Sequence, residues 1–157
     1  MKPMWQEILQ NPSYQKILMA GIGNVLKRDD GVGVYITQHL HHTSRLQGIS
    51  VEVSIENYIG KINSLAPDVL ILIDCMDLQA QPGHWELLPA EKIRGHTTNT
   101  HNISLDQVCE LFHSRVYILG IQPMDISLGE NLTPMVKKTA DALIAKIKHV
   151  AQMKETC

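Results

Sequence analysis

The sequence predicts an α/β fold, a single doubly wound, mostly parallel sheet with helices on both faces. Three short runs carry that reading. Residues 16–22 (KILMAGI), 69–73 (VLILI) and 116–121 (VYILGI) are apolar along nearly their whole length, and they end at glycines, at Asp74 and at Gln122-Pro123. A strand that is apolar on both faces belongs in the middle of a parallel sheet covered by helices on each side. Helical patterns lie between the runs, and strands alternating with helices imply crossover units that build such a sheet.

The elements follow in order. Residues 1–15 read as a helical extension with Trp5, Ile8 and Leu9 inward, and residues 16–157 as the α/β domain. After the first strand, the segment DGVGVYITQHLHH from Asp30 places Val32, Tyr35, Ile36 and Leu40 on one helix face. Residues 49–55 (ISVEVSI) alternate in polarity and suit a strand nearer an edge, and 84–88 (HWELL) is a weaker strand. Ser104 with Gln107 three residues on is a capping box, and Leu105, Val108, Leu111 and Phe112 recur behind it at helical spacing. The last helix is expected from about Pro134 to about Met153, with Val136, Leu143, Ile147 and Val150 inward.

Composition narrows the function classes. The 157 residues suffice for one domain with a sizeable core, and 14 basic against 16 acidic residues give a net charge of -2. No polycationic face exists for sequence-independent nucleic-acid binding. Cys75, Cys109 and Cys157 have no CxxC spacing and suit reduced thiols in a cytoplasmic protein. No apolar run approaches the roughly 20 residues of a membrane span. The opening stretch MKPMWQEILQNPSYQ is too interrupted by polar residues for a signal peptide. No long amphipathic seam suggests a coiled-coil assembly, and a monomer is expected.

Open α/β sheets bind ligands beyond the carboxyl ends of their strands, at the switch in strand order. The first strand opens there into GIGNVLKRDDGVG, from Gly21 to Gly33, with Asp29 and Asp30 inside it. The central strand gives DCMD, from Asp74 to Asp77, and a later loop gives TTNTHN, from Thr97 to Asn102, with His101 near its end. The glycines suggest a dinucleotide turn, but Leu26 stands at the third glycine position. Asp29 and Asp30 would also face the phosphates, where repulsion between unit charges at about 4 Å is roughly 4 kcal/mol at an effective dielectric near 20. The same residues favour a cation. Two carboxylates and an imidazole suit a divalent transition metal such as nickel, zinc or copper, and three protein ligands leave positions open for a substrate. His39, His41 and His42 look metal-like, yet a solvated helix end explains them better. Cys75 has no neighbouring base to activate it and reads as a buried strand-end thiol.

These segments resemble the nickel-iron hydrogenase maturation endopeptidases. The likeness runs through Gly21–Gly33, VLILIDCMD (Val69 to Asp77), Pro82-Gly83, TTNTHNISL (Thr97 to Leu105), GIQP (Gly120 to Pro123) and LTP (Leu132 to Pro134). It is strongest toward the subgroup serving formate-hydrogenlyase-type hydrogenases. The resemblance implies a doubly wound α/β domain that clips a short C-terminal extension from the hydrogenase large-subunit precursor after nickel insertion. It implies an aspartic-type endopeptidase, with Asp30, Asp74 and His101 as the metal positions. The nickel is carried by the substrate, so the resting enzyme is expected to be metal-free. Asp29, Asp30 and Asp74 are the expected catalytic carboxylates, with Asp29 or Asp30 activating the water. Gly23, Asn24, Gly31 and Asn102 are the expected substrate contacts.

One segment departs from the family. Members carry an acidic, glycine-rich motif leaving the second strand, followed by Pro-Glu-Asn; here the region reads ISVEVSIENY, from Ile49 to Tyr58. Glu56 and Asn57 are kept, Ser50 stands where the Asp would be, and Glu52 or Glu56 is a candidate substitute. The departure favours an alternative, a non-cleaving module that recognises the nickel-loaded precursor. A nucleotide-binding enzyme is a third reading, opposed by Leu26 and the Asp29-Asp30 pair.

Overall fold

In the computed structural model, which describes residues 3–93 and 105–155, a five-stranded sheet runs in the order β2-β1-β3-β5-β4. The strands are β1 (Ile17–Ile22), β2 (Leu46–Glu52), β3 (Val69–Cys75), β4 (Trp85–Pro89) and β5 (Arg115–Ile121). The first, second, third and fifth strands are parallel, and β4 lies antiparallel on β5 as one edge. Every residue of β1 and β3 is buried, as continuous apolar runs require. The weaker pattern of β2 matches its place at the other edge.

The helices are α1 (Met4–Leu9), α2 (Val32–Gln38), α3 (Ile59–Leu65), α4 (Leu105–Cys109) and α5 (Pro134–Glu155). They sort into two layers. On one face Trp5, Ile8, Ile36, Val136, Leu143 and Ile147 pack against Ile17, Met19, Ile71 and Leu119. On the other, Ile62, Leu105, Val108 and Phe112 cover Leu18, Ala20, Leu70 and Ile118. The inward residues expected of α1 and α5 are all buried. Leu111 is not: α4 ends at Cys109, and Leu111 is 53% exposed beyond it. Helix α3 has no counterpart in the periodicity reading because it buries only Ile62. No helix among the described residues is long and apolar enough to cross a membrane.

The order places the topological switch between β1 and β3, where the chain leaves β1 toward β2 on one side and later returns to β3 on the other. The acidic segments sit at those two carboxyl ends.

Candidate active site

The site begins with a turn that only glycine permits. Gly23 leaves β1 at φ 133°, and a Cβ there would lie 1.7 Å from the Asp30 carbonyl oxygen. The Gly23 amide donates to the Glu52 carbonyl at 2.9 Å, joining the exits of β1 and β2. Asn24 then folds the chain. Its Oδ1 accepts the Leu26 amide at 2.9 Å, and its own amide donates to Asp30 Oδ2 at 2.9 Å. A 3₁₀ turn over Arg28–Gly31 carries both aspartates into the start of α2. Helix α2 lies close on the sheet because Gly33 has no side chain; a Cβ there would stand 2.1 Å from the Ile73 carbonyl oxygen and 2.6 Å from that of Ile22. The 3₁₀ turn thereby rests against β3.

The two aspartates have different surroundings. Asp29 is fully buried and its carboxylate is occupied. Oδ2 accepts the amides of Met124 at 2.9 Å and Asp125 at 3.0 Å; Oδ1 accepts the Thr133 amide at 2.7 Å. The Thr133 hydroxyl adds contacts of 3.0 Å to Oδ1 and 2.8 Å to Oδ2. Backbone pairs reinforce this tie, with Asp29 donating to Asp125, Arg28 to Gly129, and Gly129 to Leu26. Asp29 is thus bonded to the loop between β5 and α5.

Asp30 is equally enclosed, at 2% exposure, but only Oδ2 is engaged. Its Oδ1 has no hydrogen-bond partner among the described residues. A buried carboxylate oxygen without a donor is costly, and such groups mark places where a ligand completes the site.

Asp74 closes the wholly apolar β3 and is 5% exposed, with Oδ1 accepting the Cys75 amide at 2.8 Å. The adjacent thiol reports how much negative charge gathers here. Burial, then the carboxylates of Asp74, Asp30, Asp29 and Asp77 in that order, hold the Cys75 thiol far above its ordinary value. Cys75 is therefore an inert neutral thiol, as its position predicts. The site brings the 3₁₀ turn that carries Asp30 against the end of β3, where Asp74 stands, with Asp29 as an anchor to the loop before α5.

His101 and Asn102, the remaining expected site residues, lie outside the described residues. No group of three His, Cys, Asp or Glu among the described residues is disposed to hold a metal ion. Gly31 backs onto Val25, since a Cβ on it would lie 2.9 Å from Val25 Cα. Ser50 and Thr37 share a hydrogen bond of 2.9 Å between their hydroxyls, linking β2 to α2. Glu52, one of the candidate substitutes, holds φ 55° at the end of β2 with an exposed side chain. His39 stacks on Tyr35 at 4.4 Å, and His39, His41 and His42 are exposed.

Sequence reasoning gave no role to Thr133 or Gln122. The first lies inside the LTP segment, and the legible signal was that a buried Asp needs donors. Gln122 Oε1 accepts the Leu78 amide at 2.6 Å, and backbone bonds join Gly83 to Gln122 and Gln122 to His84. The GIQP and Pro-Gly segments therefore brace each other behind the Asp74 loop.

Residues 35–150 match the family model described as hydrogenase maturation protease. The chain belongs to the hydrogenase maturation protease family. The hydrogenase 3 maturation protease of Escherichia coli K12 is 23% identical over 133 residues, covering 81% of this chain and 85% of that protein. The hydrogenase expression/formation protein HupD of Bradyrhizobium diazoefficiens is 28% identical over 140 residues, covering 78% of this chain and 70% of that one. The crystal structure of the nickel-iron hydrogenase maturation protease HycI from Thermococcus kodakarensis KOD1 has a TM-score of 0.82 at 23% identity, covering 96% and 99% of the two chains. The solution structure of the endopeptidase HycI from Escherichia coli gives 0.77 at 22%, covering 85% and 90%. This protein is thus a maturation endopeptidase with the doubly wound fold its sequence predicts, and the non-cleaving alternative is not favoured.

Proposed function

We propose that this maturation protease removes the C-terminal extension of a nickel-iron hydrogenase large-subunit precursor, acting in the cytoplasm once nickel is in place, by carboxylate-assisted hydrolysis. The observation that carries the reading is the unpartnered, buried Asp30 Oδ1 beside Asp74 at the switch point. Two carboxylates with His101 make a donor set suited to nickel, which arrives as the substrate's own cargo. Asp74 and His101 engage that ion directly, Asp30 faces it across the attacking water held by its free Oδ1, and together they fix the register of the peptide beside it. Gly23, Asn24, Gly31 and Asn102 shape or line the path of the peptide. The free Cys75 and Cys109 thiols suit a reducing compartment.

Asp30 is the base in this scheme, because Asp29 has both oxygens taken by Thr133 and by backbone amides. Asp30 accepts a proton from a water, whose oxygen attacks the scissile carbonyl carbon. Collapse of the tetrahedral adduct breaks the C–N bond, and the proton passes to the leaving amine. Asp29 contributes by holding the wall of the crevice in place.

The test is the intact mass of the large subunit co-expressed with this protein and supplied with nickel. Loss of a short C-terminal peptide is expected, abolished by Asp74→Ala or His101→Ala with the fold intact. Cleavage retained by both variants overturns the assignment.

A further inference from the structure

The antiparallel strand β4 is the edge of the sheet away from β2. Its partner is β5, with Trp85 opposite Ile121 and Glu86 opposite Gly120. The Ile121 carbonyl accepts the Met76 amide on the β3 side, so Ile121 and Trp85 exchange no bonds. The alternation of an antiparallel ladder then turns the backbone groups of Trp85 and Leu87 outward. Among the described residues nothing outside the ladder hydrogen-bonds to the backbone of Trp85–Pro89. Such an edge accepts an added strand. Pro89 has no N–H and limits the usable stretch to residues 85–88.

A groove of about 560 Å³ borders this edge on the α5 side. Trp85, Met135 and Ala142 give it apolar lining, and its charged lining is Lys138 and Lys146, with no acidic residue among the described ones. Both lysines are exposed and form no ion pair among the described residues, whereas Lys137 is held by Asp141 at 3.0 Å. Lys146 Nζ stands 5.1 Å from the centroid of the Trp85 ring. One wall is fixed to α5: the Gly83 carbonyl, at φ 87°, accepts the Thr139 hydroxyl at 2.8 Å. The groove is therefore preformed, and an occupant loses little affinity to ordering the protein.

The edge calls for extended backbone, and two unpaired lysines beside an apolar wall call for acidic and apolar side chains. A second copy fits poorly, because pairing β4 with β4 sets four lysines together without an acid, and like-charge juxtaposition opposes association. Strand β4 lies two strands from β3, about 10 Å at ordinary spacing. Trp85 pairs with the last residue of β5, so the groove opens at the same end of the sheet as Asp74. A segment bound there is distinct from the one at the carboxylates and within reach of it.

We infer that β4 and its groove dock an extended acidic segment of the large-subunit precursor by strand addition, apart from the peptide being cut. The inference rests on the endopeptidase reading and adds a recognition surface to it.

The test measures binding and cleavage of the nickel-loaded precursor by the wild type, a Lys138→Glu/Lys146→Glu variant and a Lys92→Glu/Lys148→Glu control. The control changes net charge equally at exposed lysines outside the groove. The groove variant is expected to raise Kd and KM at least tenfold, with kcat within a factor of two and the thermal midpoint unchanged; the control is expected to stay within twofold of wild type. If the groove variant lowers the midpoint, Lys138→Gln/Lys146→Gln must show the rise in Kd instead. An unchanged Kd, or an equal rise in the control, overturns the docking surface and leaves the endopeptidase reading standing. Sedimentation of the wild type alone is expected to show a monomer; a dimer altered by the groove substitutions assigns the edge to a second copy and also overturns it. Should the wild type bind the precursor without cutting it while the groove variant binds weakly, the docking surface stands and the endopeptidase reading falls. A wild type that neither binds nor cuts overturns both.

Discussion

Replacing Asp29 by Asn tests whether that carboxylate holds the crevice together or takes part in the chemistry. The amide keeps one acceptor oxygen, which Thr133 retains, but its nitrogen then faces the Met124 and Asp125 amides that Oδ2 accepts. Two part-buried donors lose their acceptor. Each such orphan costs roughly 1–3 kcal/mol, so the variant should lose about 4 kcal/mol. At this chain length 1 kcal/mol moves the midpoint by roughly 2–4 °C, giving a fall of about 8–16 °C. Thr133→Val removes the hydroxyl but keeps the amide bond, and should cost about 1.5–3 kcal/mol because the acceptor is charged. The pair combined should cost less than the sum, since both remove parts of one network. Thermal and urea unfolding measure all three, with an unchanged m-value expected. An Asp29→Asn protein melting within 2 °C of wild type, yet inactive, would refute the anchoring role and move Asp29 into the chemistry.

Other expectations follow from the same geometry. Asp30→Asn replaces a buried carboxyl group whose Oδ1 has no donor, so the midpoint should hold or rise while processing drops at least a hundredfold; a fall of more than about 5 °C would make Asp30 structural. Gly33→Ala forces a methyl into the carbonyls of Ile73 and Ile22 and should cost about 1–3 kcal/mol or more by urea unfolding; a neutral result would show that α2 can lift off the sheet freely. Glu52→Gly removes a left-handed non-glycine residue and should stabilise by about 0.5–1 kcal/mol by urea unfolding, a loss of stability refuting backbone strain there. For Cys75, burial and the nearby carboxylates favour the neutral thiol in the fold, so its stabilising contribution is complete below the ordinary value of 9.0 and declines as pH rises above it. The thiol should resist a disulfide reagent at pH 8 and react fully in urea. Rapid labelling of the folded protein would contradict the enclosed strand end. Cys109, pushed up to about 12 mainly by burial, should behave alike.

The central strands were legible because apolar runs with no polar face have few other homes in a chain of this size. Helix α5 was legible because Val136, Leu143, Ile147 and Val150 form a stripe long enough to outweigh local ambiguity. Helix α3 was not, since one buried isoleucine leaves no period to detect. Leu111 misled because helical spacing continued past the point where the backbone left the helix. At the site, sequence proximity gave Asp29 and Asp30 the same standing. Their difference comes from Thr133 and from the amides of Met124 and Asp125, contacts made about a hundred residues away that no local pattern records. Ser50 shows the same limit: it stands where the family resemblance leads one to expect an acid, and the fold pairs it with Thr37.

The bond between Asp29 and Thr133 joins residues 104 positions apart. During synthesis the first wall of the crevice emerges from the ribosome long before the second exists. Until the loop after β5 has been made and has docked, Asp29 is a carboxylate with no donors and the 3₁₀ turn has nothing to hold it. Contacts of such long range form late, after their loop-closure entropy has been met. In the proposed scheme the carboxylate centre depends on that contact, so a truncated or stalled chain is expected to carry the aspartates without cutting.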